Sequence, residues 1–142
     1  SIGIIGETWG SGFYAGCLGI LLVLLSLNVI RYRRRNKLAL GENGNLELTR
    51  AIRAHGNFVE YAPMFLVMLA MAEVQSLPAY VIHLLGAAFV AGRVAHAYSL
   101  LRHERYVDGV IQHNPTWRMV GMMSTFNVLG ILSLILLIQF LF

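Results

Sequence analysis

The chain predicts an all-α integral membrane protein, a four-helix bundle in one domain over 1–142. Two observations carry this. Of the 142 residues, 57% are hydrophobic and only 13% charged, with a mean hydropathy of +0.64; a soluble domain of this size needs more charge to cover its surface. The apolar residues also fall in long blocks, which is the pattern that lipid as solvent selects.

The blocks place spans at about 13–30, 46–74, 79–101 and 116–141. The first ends on Arg31-Tyr32-Arg33-Arg34-Arg35-Asn36-Lys37. Basic residues after the apolar run, with no small-residue cleavage site, indicate a permanent helix rather than a signal peptide. Gly41-Glu42-Asn43-Gly44-Asn45 is turn chemistry. The second span is polar in its first half and oily from Met64 to Ala72. The short loop at 75–78 predicts that the second and third helices form an antiparallel hairpin.

Positive charge sets the expected orientation. Of the 11 Lys and Arg, Arg31, Arg33, Arg34, Arg35, Lys37, Arg50 and Arg53 surround the first loop, Arg102, Arg105 and Arg118 surround the third connection, and Arg93 lies within the third span. The N-terminal segment, the 75–78 loop and the C-terminal end carry none. The positive-inside rule then puts both polar loops in the cytoplasm and both termini outside. The net charge of +4 is explained by this topology. Without aromatic–basic interleaving it does not indicate nucleic acid as a partner. Arg33, Arg34 and Arg35 read as a topology anchor on anionic lipid, and Trp9, Tyr14 and Tyr80 as interfacial belt residues. Cys17, the lone cysteine, reads as a small apolar side chain.

The informative residues are polar ones inside the spans. Arg50, Arg53, Asn57 and Glu60 are spaced i, i+3, i+7, i+10, which draws one stripe down a helix. Glu60 lies roughly 10 Å along the axis from Arg53, and a lone carboxylate at that depth is costly. In the third span Arg93 and His96 repeat the device at i, i+3. Comparable depth predicts a Glu60–Arg93 contact between the second and third helices. Arg53, Arg93 and Arg118, with Asn57 and His96, exceed what Glu60 alone neutralises. A cationic pocket walled by hydrocarbon favours an anion, and arginine suits carboxylates because its fork binds bidentately.

Other chemistries lack their constellations. His55, His83, His96, His103 and His113 show no metal-ligand pairing with a supporting acid, so no metal is expected. No Gly-rich phosphate loop and no serine or cysteine beside a base is evident, so a nucleophile has to arrive with the substrate.

The segment Arg53-Ala54-His55-Gly56-Asn57-Phe58-Val59-Glu60-Tyr61-Ala62-Pro63 resembles the signature of the membrane-associated proteins in eicosanoid and glutathione metabolism. Gly92-Arg93-Val94-Ala95-His96 and the arginine run after the first helix support the resemblance, which covers nearly the whole chain. It implies a homotrimer with glutathione, as co-substrate, bound between subunits near the cytoplasmic side. By motif position Arg53, Asn57, Glu60, Tyr61, Arg93 and His96 would contact glutathione, with Arg31 a weaker carry-over. Arg118 matches the arginine held to stabilise the glutathione thiolate. The second substrate implied is a lipophilic electrophile from the bilayer, with Met119, Gly121, Met122 and Met123 as candidates for an adaptable apolar subsite. The sequence departs from the family in placing Leu100 where the eicosanoid branches carry a tyrosine, one turn beyond His96, and in a longer connector from His103 to Pro115. The longer connector favours a broad-specificity bacterial branch in the inner membrane, whereas Leu100 removes one expected glutathione hydrogen bond and gives weight to a non-catalytic reading. The expected function is a glutathione transferase, with peroxidase chemistry as a second activity of the same site. Its rivals are a non-catalytic membrane scaffold and, less favoured, an exporter using Glu60 as a proton site, because surrounding arginines hold a carboxylate ionised.

Overall fold

The computed structural model describes residues 8–103, 106–108, 110, 111 and 115–142. Arg105, His113 and the side chain of His103 lie outside the described residues, so their part in the third connection is not addressed. Four helices dominate: α1 Trp9–Asn36, α2 Leu46–Val74, α3 Ala79–Tyr98 and α4 Thr116–Leu141. A π-helical turn, Ser99–His103, continues α3, and a two-stranded antiparallel ribbon, β1 Tyr106–Val107 with β2 Val110–Ile111, sits in the connector. Each helix is long and apolar enough to cross a membrane. The all-α membrane bundle expected from hydropathy is therefore observed, with the ribbon as a small addition.

α1 runs beyond its apolar block at both ends. Its C-terminal turns carry Arg33, Arg34 and Arg35, good helix formers whose charge complements the terminal carbonyls. The helix stops at Lys37, which adopts the left-handed conformation and donates its N–H to the Arg34 carbonyl. At the other end no local side chain caps α1; instead Glu73, in the last turns of α2, accepts from the N–H groups of Gly10 (3.1 Å) and Ser11 (2.9 Å). A carboxylate against exposed helical N–H groups is favourable both as a hydrogen bond and against the helix dipole.

The arginine-rich end is tied down by local chemistry. Asn45 caps α2 by accepting from Leu48 N–H (2.9 Å), and its amide donates to Asn36 at the end of α1 (2.9 Å). Thr49 donates to Glu42 (2.6 Å), and Arg33 donates to the Gly41 carbonyl (2.9 Å). Gly41 and Gly44 both take φ of +71°, the left-handed turn conformation that glycine adopts without a Cβ penalty. This loop fixes the start of α2, and with it Thr49, Arg50 and Arg53.

In a bilayer, lipid tails remove most of the hydrophobic drive for helix association, so close packing and polar contacts hold helices together. α3 is the central helix: half of its membrane window is buried within the chain, against 17% for α1. Phe89 of α3 stacks on Phe65 of α2 with ring centroids 3.9 Å apart. The Tyr14 ring of α1 lies in the space left by Gly86 of α3, and its hydroxyl reaches His83 Nδ1 (2.9 Å). α3 and α4 cross at Gly92 and Gly121, where Ser124 donates to the Ala88 carbonyl (2.9 Å). That crossing brings the start of α4 against the end of α3.

Candidate functional site

At the arginine-rich end of the bundle, α2, α3 and α4 enclose an open cavity of about 410 Å³. Leu46, Thr49, Arg50, Arg53, Asn57, His96, Leu100 and Arg118 line it. Four residues singled out in the sequence, Arg53, Asn57, His96 and Arg118, thus share one cavity from three helices. Among the described residues that line it there are three arginines and no acid. A cavity of one sign with apolar walls concentrates field and selects counter-charge.

Behind Asn57 stands Arg93, whose placement differs from the sequence expectation. Arg93 is 2% exposed. One terminal nitrogen donates to the Asn57 side-chain oxygen and lies 3.5 Å from the Asn57 carbonyl, while the other donates to Met122 Sδ at 3.2 Å. The guanidinium lies 5.5 Å from the Tyr61 ring centroid and 5.9 Å from that of Phe89, within cation–π range. Its Nε is buried without a hydrogen-bond partner. Among the described residues no carboxylate pairs with Arg93.

The Glu60–Arg93 contact is therefore corrected. Glu60 pairs with Arg53 on its own helix at 3.8 Å, and both side chains are about half exposed (53% and 55%). The reason is angular. Glu60 continues the outward stripe from Arg53, along with exposed Met64, Val67 and Met71, whereas the side of α2 that meets α3 carries Asn57, Tyr61 and Phe65. Shared depth was correct for the two residues, but a shared face was not. Asn57, which lies slightly to one side of the stripe, takes the role of partner to Arg93.

Tyr61 does not line the cavity; it faces Arg93 and packs edge-on against Phe126 of α4 (5.6 Å). Arg31 stands apart in the single chain. It donates to Asn28 (3.2 Å), lies over the Tyr32 ring (5.2 Å), and borders a shallow groove on α1 with Leu24 and Leu27. The four candidates for an apolar subsite also separate. Gly121 is buried at the α3 crossing, Met122 touches Arg93, and Met119 and Met123 are exposed on the bundle surface.

Two polar cavity residues were not singled out as site residues from the sequence. Arg50 donates from Nε to the Leu100 carbonyl at 2.6 Å, at the π-helical turn that ends α3. Thr49 precedes it. The available signal was the stripe itself, since Arg50 opens the series that Arg53 and Asn57 continue. Leu100, the departure noted above, is buried (6% exposed) and presents apolar surface to the cavity.

Chemically, three guanidinium groups around one cavity form an arrangement suited to an anion, with Arg118 on the α4 side. Among the described residues that line the cavity, the one hydroxyl is that of Thr49, which is committed to Glu42 and to the Asn45 carbonyl.

Comparison with known proteins agrees with this architecture. The MAPEG family profile matches residues 11–138. The chain is 34% identical over 124 residues to the inner membrane protein YecN of Escherichia coli strain K12, covering 87% of each chain. It matches YecN of Escherichia coli O6:H1 to the same extent. With four spanning helices, the second-helix signature and a match across nearly its whole length, the chain belongs to the MAPEG family.

Proposed function

We propose that this protein is a glutathione transferase of the bacterial inner membrane, joining glutathione to lipophilic electrophiles. The observation that carries the reading is Arg93, a buried guanidinium with no carboxylate partner among the described residues, behind a cavity lined by Arg50, Arg53 and Arg118. A buried unpaired charge is expensive, and a carboxylate-bearing ligand offsets that cost. The donor set fits glutathione, which brings two carboxylates and a thiol. Arg53, Asn57, Glu60, Tyr61, Arg93, His96 and Arg31 are assigned to its binding. Arg118 is assigned to its sulfur.

A guanidinium beside a thiol favours the charged form, so more thiolate exists at neutral pH than free glutathione provides. The thiol proton leaves to solvent. The sulfur then gives an electron pair to the electrophilic carbon, a carbon–sulfur bond forms, and the leaving group departs with the bonding pair. With a hydroperoxide in place of the electrophile, two glutathione thiols yield the disulfide, an alcohol and water, which is the peroxidase form of the reaction.

Assembly is part of the proposal. Arg53 and Glu60 are half exposed within a membrane-spanning helix, where open contact with lipid is costly. Covering that stripe with another copy of the chain resolves the cost. We assign a homotrimer with the sites between subunits, Arg31 reaching the site of a neighbour, both termini outside and the polar loops in the cytoplasm.

A non-catalytic scaffold is the second reading, and Leu100 favours it because the site lacks one hydroxyl there. Thermal unfolding in detergent separates the two. A binding site at 100 times Kd of glutathione gains about 2.7 kcal/mol, read as a raised melting temperature. An unchanged melting curve at millimolar glutathione favours the scaffold.

A further inference from the structure

We infer that Arg50 recognises the γ-glutamyl end of the ligand, acting as the specificity-determining residue at the junction of two cavities. The inference rests on the proposal that the main cavity binds glutathione. Arg50 lines that cavity and also a second, smaller one of about 120 Å³, walled by Tyr32, Glu47, Leu101 and Arg102. The two spaces therefore adjoin across the Arg50 side chain.

The main cavity offers cations and, among its described residues, no acid. The smaller one differs in character, because it adds the Glu47 carboxylate to Arg50 and Arg102. Opposite charges side by side suit a zwitterion: a guanidinium takes a carboxylate, and a carboxylate takes an ammonium. Within glutathione only the γ-glutamyl end carries both an α-carboxylate and an α-ammonium on one carbon; the glycine end carries a carboxylate alone.

Arg50 is also oriented for this. Its Nε is engaged by the Leu100 carbonyl at 2.6 Å, which anchors the guanidinium plane to the π-helical turn of α3. A planar fork whose direction is fixed loses less freedom on meeting a carboxylate. The first loop, held by Asn45, Thr49 and Arg33, fixes the backbone that carries Arg50 and Glu47.

The test measures dissociation constants of glutathione, γ-glutamylcysteine and cysteinylglycine by calorimetry in detergent, for the native protein, Arg50→Ala and Arg50→Lys. Arg50→Ala is expected to weaken glutathione and γ-glutamylcysteine about ten- to hundredfold, the range for losing a charged hydrogen bond. Cysteinylglycine, which lacks the γ-glutamyl end, is expected to change less than threefold. If loss of the Leu100 contact unfolds Arg50→Ala, Arg50→Lys carries the test, since it retains a donor and the charge but not the fork. The same selective weakening supports the assignment. Equal losses across the three ligands, or none, overturn it. Failure of the native protein to bind glutathione is a different outcome and removes the proposed function itself.

Discussion

Gly121 of α4 sits directly on Gly92 of α3, so that a β-carbon added at 121 would collide with the Gly92 carbonyl oxygen and come within 2.9 Å of the His96 N–H nitrogen. The obstructing atoms are backbone, which cannot rotate away. One turn from this contact lies Arg118, and on the facing helix lie Arg93 and His96. The crossing therefore sets the spacing between the arginine assigned to sulfur and the rest of the cavity.

Gly121→Ala is expected to force α3 and α4 apart and to destabilise the protein by about 1–3 kcal/mol, the cost of overpacking a close contact. Gly130→Ala serves as control, because a β-carbon there meets nothing within 4 Å. Melting temperatures in detergent check both. The alanine at 121 should lower the value and weaken glutathione binding, and the alanine at 130 should do neither.

Arg93 offers a test that separates binding from stability. Its charge is buried without a carboxylate among the described residues, so the ligand-free protein bears a cost that an apolar side chain of similar length avoids. Arg93→Met is expected to melt no lower than the native protein without glutathione, and to show no rise in melting temperature with it. A large drop without ligand would mean that Arg93 serves chiefly to hold the helices.

Glu73 reports on the opposite end of the bundle. Glu73→Ala removes the acceptor for Gly10 and Ser11 and is expected to cost about 1 kcal/mol, the usual worth of a helix cap. Hydrogen exchange should accelerate in the first turn of α1, with glutathione affinity unchanged.

Leu100→Tyr restores a hydroxyl at the cavity wall. A single added hydrogen bond is worth about 0.5–1.5 kcal/mol, so glutathione should bind about two- to tenfold more tightly, measured by calorimetry.

The fold was legible because the bilayer imposes it. Four apolar blocks, separated by an arginine-rich loop, a short turn and a polar connector, leave little alternative to four spans. Helical periodicity also located the polar stripe of α2. It did not say which neighbour each stripe residue meets, and so Glu60 was matched to Arg93 by depth, while the chain places Asn57 there and turns Glu60 outward to Arg53. Arg50 was visible as the first member of the stripe, but its role depends on the Leu100 carbonyl at a π-helical turn, a local widening that leaves no periodic mark. Gly121 read as a small subsite residue for the same reason: only the crossing partner distinguishes a lining position from a packing one.

The central claim is that arginines from separate helices hold glutathione and ionise its thiol at Arg118. Ultraviolet difference spectroscopy of the bound thiolate, comparing native protein with Arg118→Ala across neutral pH, tests it most directly. The account predicts a thiolate band in the native protein well below the pH at which free glutathione ionises, and its loss in the variant with assembly intact. A band of equal intensity in both would contradict the account.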